Sequence, residues 1–344
     1  MSLKQKAIHG LGWTFTNQVS VQVVRFGVSV LLARMLSPHD FGLVGMITVF
    51  IALGSAFIDG GMASSLIRTQ EATHADFSTV FFMNVGVGVV AYVLLFFTAP
   101  LVASFFHQPE LVAIVRVYAI SFIVSALTIV QNTRLTKQLE FKKQFLVSLP
   151  SFVVSGVVGL VCAYSGMGVW SLVWMHLAQT SFSSAQLWLR SDWRPSFIFD
   201  SGRFKHHFSF GYKLTLSALL ERLYQNITAI LIGRYFSVSQ LGFYSRAQSM
   251  KQLPVDSISA ALNKVTYPLF ASIQDDNPRL KSVYRRLMQQ VLFWLTPSLV
   301  LASVLAEPIF RWLLTAKWLP AVPYFQIVCF LGVMYPIHAY NLNV

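Results

Sequence analysis

Residues 31–43 read LLARMLSPHDFGL, and residues 231–243 read LIGRYFSVSQLGF. Leu31, Arg34, Ser37 and Gly42 of the first stretch recur as Leu231, Arg234, Ser237 and Gly242, and Leu36 and Phe41 exchange conservatively for Phe236 and Leu241. A period of 200 residues is far too long for a solenoid unit. In a chain this apolar it points to two homologous membrane half-bundles facing one another across a central path.

Composition supports the membrane setting. The chain has 344 residues, of which 55% are hydrophobic and 11% charged, and its mean hydropathy is +0.59. Soluble domains carry about 25% charged residues. No Asp, Glu, Lys or Arg occurs between Asp76 and Glu110, between Lys143 and Arg190, or after Lys317. Each of these stretches is long enough for a crossing helix of ~20 apolar residues. Cys162 and Cys329 sit inside apolar runs without metal-ligand spacing and read as small buried hydrophobes. The helix after the N-terminal MSLKQKAIHGLGW is too long and too polar for a signal-peptide core, so the first span is expected to be retained.

Working outward from the duplicated stretch gives ten spans: 11–33, 42–66, 77–99, 111–131, 145–165, 168–189, 210–234, 242–269, 286–306 and 318–340. Ser37-Pro38, Gln108-Pro109, Ser165-Gly166 and Asn277-Pro278 mark turns between them. Seventeen of the 26 basic residues fall on one side, among them Lys4, Arg68, Arg134, Lys143, Arg190 and Arg203. Only Arg34, Arg116, Arg234, Arg311 and Lys317 fall on the other. Cytoplasmic loops carry the excess of Lys and Arg, which places the N-terminus in the cytoplasm. Topology therefore accounts for most of the +13 net charge, and no nucleic-acid partner is expected.

Six spans precede the second copy, an even number, so the repeat is parallel. The expected organisation is an N-terminal six-helix lobe over 1–190, a cytoplasmic linker over 191–209 and a C-terminal lobe over 210–344. The linker, rich in Trp193, Phe197, Phe199, Phe204 and Phe208, reads either as an interfacial amphipathic element or as a strand of chain on the membrane surface. Ala99-Pro100-Leu101 before span 4 resembles Glu307-Pro308-Ile309 before span 10. The second half thus shows four of six expected spans before Asn341-Leu342-Asn343-Val344, and a truncated chain is expected.

A few charges remain inside the spans. Each costs at least ~2.5–3.5 kcal/mol at bilayer depth, so such residues face a bundle interior or a water-filled cavity. In span 1, Thr14, Gln18, Gln22 and Arg25 share one helical face. In span 7, Ser217, Glu221 and Gln225 form a row with Arg222 and Asn226 beside it. The two-hundred offset pairs Gln22 with Arg222 and Arg25 with Gln225, so both halves place a polar stripe at the same depth. Span 8 carries Arg246, Lys251 and Asp256, and Pro254 should kink it. Its row Ser245, Ser249, Gln252, Asp256 and Ser259 suits a cavity wall, and the alternative for Arg246 and Lys251 is snorkelling to an interface. Asp59, before Gly60-Gly61, marks a break or helix end and is as fit to pair with an Arg as to bind substrate. Ser151, Ser155, Gly159 and Ala163 in span 5 form a small-residue packing face. A cavity lined by Arg and Lys beside Gln, Asn and Ser suits an anionic, hydroxyl-rich headgroup.

Three motifs carry a family resemblance: ARMLSPHDFGL after span 1, DGGMASSLIR ending span 2, and GRYFSVSQLGFYSRAQSMKQLPVDSISAALNKVTYPLFA across spans 7 and 8. The chain resembles the polysaccharide exporters of the MOP flippase superfamily, nearest the Wzx and colanic-acid-exporter type. The resemblance implies an all-α polytopic fold of two parallel-repeat lobes around a central cavity. It also implies flipping of undecaprenyl-diphosphate-linked oligosaccharide across the inner membrane by alternating access. Membrane lipids and the polysaccharide polymerase machinery are the further partners implied, and no cofactor or metal is. By the same resemblance, Arg25, Arg222 and Arg246 are the candidates to hold the diphosphate. A cation-coupled multidrug exporter of the same superfamily would favour an acidic, aromatic cavity. A membrane-embedded polymerase or glycosyltransferase would need a sizeable extramembrane loop or an acid/base cluster. The chain shows no P-loop, HExxH or DxD signature. Its eight histidines are scattered and read as surface or interfacial residues, with only His206-His207 adjacent.

Overall fold

The computed structural model of the chain describes residues 3–252, 255 and 277–334. It is helical throughout, with no strand among the described residues, as the sequence leads one to expect. Two compact units divide it, Met1–Ser237 and Val238–Val344.

The first unit holds α1 (Leu3–Met35), α2 (Pro38–Asp59), α3 (Met62–Arg68), α4 (His74–Phe106), α5 (Leu111–Tyr118), α6 (Ile120–Lys137), α7 (Phe141–Tyr164), α8 (Trp170–Arg190) and α9 (Ser201–Tyr235). The second holds α10 (238–252), α11 (Asn277–Val304), α12 (Ala306–Leu314), a 3-10 turn (Ala316–Ala321) and α13 (Val322–Gly332). Among the described residues, five stretches are long and apolar enough to cross a membrane: Pro38–Arg68, His74–Phe106, Leu111–Lys137, Phe141–Tyr164 and Leu280–Val304. Large apolar side chains point outward from them, with Leu101 69% and Phe97 73% exposed, a surface suited to lipid rather than water.

The duplicated stretch is a pair of matching helix boundaries. α1 ends at Met35 and α9 at Tyr235, while α2 begins at Pro38 and α10 at 238. Ser37 caps α2 reciprocally. Its Oγ accepts from the Asp40 N–H at 3.2 Å, and its own N–H donates to Asp40 Oδ2 at 2.9 Å. Thr73 and Asp76 start α4 with the same device, the Thr73 N–H donating to Asp76 Oδ2 at 2.7 Å. The weaker repeat is not matched in backbone conformation: seven residues after Pro100 and Pro308, His107 (φ 55, ψ 36) and Thr315 (φ 87, ψ 165) both have positive φ but differ in ψ.

Some boundaries differ from the sequence reading. Span 2 stops at Asp59, because Gly60 and Gly61 both take left-handed conformations before α3. Span 4 divides at Ala119 into α5 and α6. The stretch expected as linker is non-helical only to Asp200, whose carboxylate accepts from the Gly202 and Arg203 N–H groups and so starts α9 early. Those two backbone donors also hold the Asp200 carboxyl below the usual carboxylate range.

Packing in the first unit follows the small-residue pattern. Ser151, Ser155 and Gly159 of α7 are buried, and Gln186 of α8 donates to Ser151 Oγ at 3.0 Å. α1 runs alongside α7, with Ser148 Oγ donating to Asn17 Oδ1 at 2.5 Å, and Leu32, Leu36 and Leu172 form a core there. α9 lies against α2, α3 and α4. Cys162 is half-buried and Cys329 buried, both as free thiols.

Candidate substrate surface and a buried polar latch

Of the expected site residues, those on α1 border a packing seam. Gln18 and Arg25 are exposed and Gln22 half-buried. The Arg25 guanidinium lies over the Phe152 ring of α7, 4.7 Å from its centroid, within reach of the ring's negative face.

The second stripe is displayed on α9. Glu221, Arg222 and Gln225 are exposed and Asn226 is half-buried. Gln225 Nε2 donates to Glu221 Oε1 at 2.8 Å, and Asn226 Nδ2 to the Arg222 carbonyl at 2.7 Å. Successive helical residues turn by about 100°. Leu216, Leu219, Leu220 and Leu223 therefore share the face of α9 opposite the polar row. That leucine face closes an apolar cleft of ≈ 840 Å³ with Phe50 and Phe57 of α2, Phe82 and Leu94 of α4 and Phe122 of α6. None of the expected site residues lines the cleft. Both faces of this stretch are accessible, with Leu216 58% and Leu220 62% exposed beside the exposed Glu221 and Arg222.

Asp59 ends α2 half-buried and accepts from the Ala63 N–H. On α10, Arg246 and Lys251 are buried within their unit. The Arg246 guanidinium stands 6.0 Å from the Trp318 ring centroid, and the Lys251 stem crosses Gly332 of α13. Asp256, Pro254 and Ser259 lie outside the described residues.

Sequence reading missed a buried polar cluster joining α3, α4 and α9. His207 is fully buried rather than on the surface. Its Nδ1 lies 2.8 Å from Ser65 Oγ and its Nε2 3.3 Å from Asp76 Oδ1. A carboxylate only accepts, so Nε2 carries the proton and Nδ1 of the neutral ring accepts from the Ser65 hydroxyl. Arg203 Nη1 reaches Asp76 Oδ2 at 2.5 Å and Thr73 Oγ1 at 2.6 Å. Burial pushes the His207 imidazole below its ordinary range, opposed by the Asp76 carboxylate. Ser, His and Asp together invite a hydrolase reading, but all three are buried and the carboxylate is already taken by Arg203 and Thr73. The cluster latches helices and leaves no room for a substrate carbonyl. The adjacent pair His206-His207 was its only trace in the sequence.

Just beyond the latch, α9 crosses the end of α2 at a glycine pair. A Cβ on Gly211 would stand 2.3 Å from the Gly60 carbonyl oxygen. At the opposite end of α9, the Arg234 guanidinium donates to the Phe105 carbonyl at the close of α4 and lies 2.9 Å from His107 Nδ1. Arg234, part of the duplicated stretch, therefore anchors a helix end.

These features define a multi-pass helical membrane protein of transporter fold, built on a duplicated helix pair. The chain belongs to the family described as "Polysaccharide biosynthesis protein", whose model matches residues 31–323. It is 28% identical over 335 residues to the teichuronic acid biosynthesis protein TuaB of Bacillus subtilis strain 168, covering 97% of this chain and 69% of that one. To the lipopolysaccharide biosynthesis protein WzxC of Escherichia coli strain K12 it is 25% identical over 340 residues, covering 97% and 68%. Among solved structures, the lipid II flippase MurJ in an inward closed conformation superposes with a TM-score of 0.72 at 14% identity, over 96% of this chain and 76% of that one. At that identity the likeness establishes a shared fold.

Proposed function

We propose that the chain is a flippase that moves undecaprenyl-diphosphate-linked oligosaccharide across the inner membrane by alternating access, and performs no bond chemistry. The observation that carries this reading is the exposed polar row of α9, Glu221 to Asn226, on a helix whose other face is leucine. Exposed Arg, Glu and Gln in a helix read as a membrane span need a polar cargo or a polar path. Membership of the polysaccharide biosynthesis family supports a glycan cargo. Arg25 and Arg222 suit a diphosphate, and Gln18, Gln22, Gln225 and Asn226 suit sugar hydroxyls. Glu221 and Asp59 are the further candidates of the first unit, and Arg246, Lys251 and Asp256 those of the second. A multidrug exporter would place carboxylates where Arg25 and Arg222 stand.

In this reading the basic side and the N-terminus face the cytoplasm. The lobes are 1–190 and 210–344, joined through 191–209. α9 packs on α2, α3 and α4 within the first compact unit, where the Asp76–His207–Arg203 latch ties its start to α4. Membrane lipids and the polysaccharide polymerase machinery are the partners. Complementation of a flippase-deficient strain tests the proposal. The full-length protein should restore surface polysaccharide, and failure with the protein correctly inserted contradicts it.

A further inference from the structure

Away from the α9 row, a second pocket of ≈ 470 Å³ opens on the basic side, where α6 turns into α7 and α8 ends. That volume is within the range of small-molecule sites. Arg134, Lys143 and Arg190 line it together with Glu140, Asp192 and Gln131. Gln131 is the telling member. It is 1% exposed, and neither its Nε2 nor its Oε1 has a hydrogen-bond partner among the described residues. Native structures pair nearly all buried polar atoms, and an unpaired amide that lines a pocket is a place where a bound group can supply the missing partner.

The cations are held in place without being used up. The Arg134 guanidinium lies against the edge-to-face pair of Trp193 and Phe77, 5.3 Å and 5.4 Å from their ring centroids. Arg190 Nη1 donates to the Leu146 carbonyl at 3.0 Å, which leaves the rest of its fork. Lys143 Nζ stands 2.7 Å from Glu140 Oε2. A bare anion would meet two carboxylates at short range. A ligand with a phosphate at one end and hydroxyls at the other satisfies both sets, with phosphate on the arginines and hydroxyls donating to Glu140, Asp192 and Gln131 Oε1.

We propose that this pocket binds a polyol phosphate, a phosphate group that bears neighbouring hydroxyls. Two sources share that chemistry, a soluble sugar phosphate and the headgroup of phosphatidylglycerol. The assignment does not rest on the transport reading, since it uses none of the same residues.

The test uses purified full-length protein in phosphatidylcholine nanodiscs, titrated with glucose 1-phosphate or inorganic phosphate, and in parallel nanodiscs containing phosphatidylglycerol, read by native mass spectrometry. Glucose 1-phosphate or phosphatidylglycerol should bind the wild type at least tenfold more tightly than inorganic phosphate. Which of the two binds identifies the source. Gln131→Leu should weaken that binding at least tenfold without lowering the melting temperature, because it removes an unpaired buried amide. Arg190→Ala, an exposed position, should weaken it similarly and serves if the first variant misfolds. Absence of binding by both probes, equal binding of inorganic phosphate, or unchanged affinity in both variants overturns the assignment.

Discussion

Gly61 and Gly211 touch backbone to backbone: a Cβ on Gly61 would lie 2.5 Å from the Gly211 carbonyl oxygen. The chain reverses through left-handed Gly60 and Gly61 at the foot of α2, and α9 crosses that reversal directly. Gly211→Ala must push α9 away from α2. Overpacking of this kind costs about 1–3 kcal/mol. The variant should therefore melt at lower temperature and lose transport, and Gly211→Val should do so more severely. A melting curve identical to wild type for both variants would contradict the close crossing.

The His207 latch gives a pH dependence whose sign follows from burial. The imidazole is favoured neutral in the fold, with its pKa below the ordinary ~6.5. Its contribution to stability is complete above that value and is lost as pH falls through the depressed one. Asp76 favours the charged ring, while Arg203 and His206 oppose it. Thermal unfolding between pH 8 and pH 5 should show a decline at the acidic end that His207→Gln removes. Persistence of the same decline in that variant would assign it elsewhere.

Ser65→Ala tests the latch at constant pH. It leaves His207 Nδ1 buried without its donor, a loss of about 1–3 kcal/mol. Calorimetry of the purified protein reads the difference directly. A neutral result would mean that the hydroxyl does not support the ring.

The duplicated helix starts predict matched losses. Ser37→Ala removes an N-cap and should cost about 0.5–2 kcal/mol, with Ser37→Asp close to neutral. Ser237→Ala, at the equivalent start of α10, should fall in the same range. Denaturation of both variants in parallel checks the symmetry.

Much of this architecture was legible because local rules write it. Ser37-Pro38 followed by Asp40 is a capping signal in any context, and the small residues at 151, 155 and 159 name a packing face by spacing alone. Opposed faces on α9 were equally readable, since helical periodicity separates Leu216 and Leu220 from Glu221 and Gln225. The latch was hidden because its partners lie far apart in the chain. His207 meets Ser65 across 142 positions and Asp76 across 131, and nothing near any of them signals the encounter. The glycine crossing was hidden for the same reason. Arg25 was read as a cavity residue from its neighbours, and its seat over Phe152 depends on how α1 lies along α7.

The central claim is that Arg25 and Arg222 bind the diphosphate of a lipid-linked glycan during its passage between leaflets. The most direct measurement reconstitutes the full-length protein in vesicles and follows intact lipid-linked oligosaccharide from one leaflet to the other. Wild type should translocate it unaltered, while Arg25→Ala and Arg222→Ala should insert normally and reduce the rate at least tenfold. Translocation at the wild-type rate with both arginines replaced, or release of a cleaved sugar in place of the intact lipid, would contradict the account.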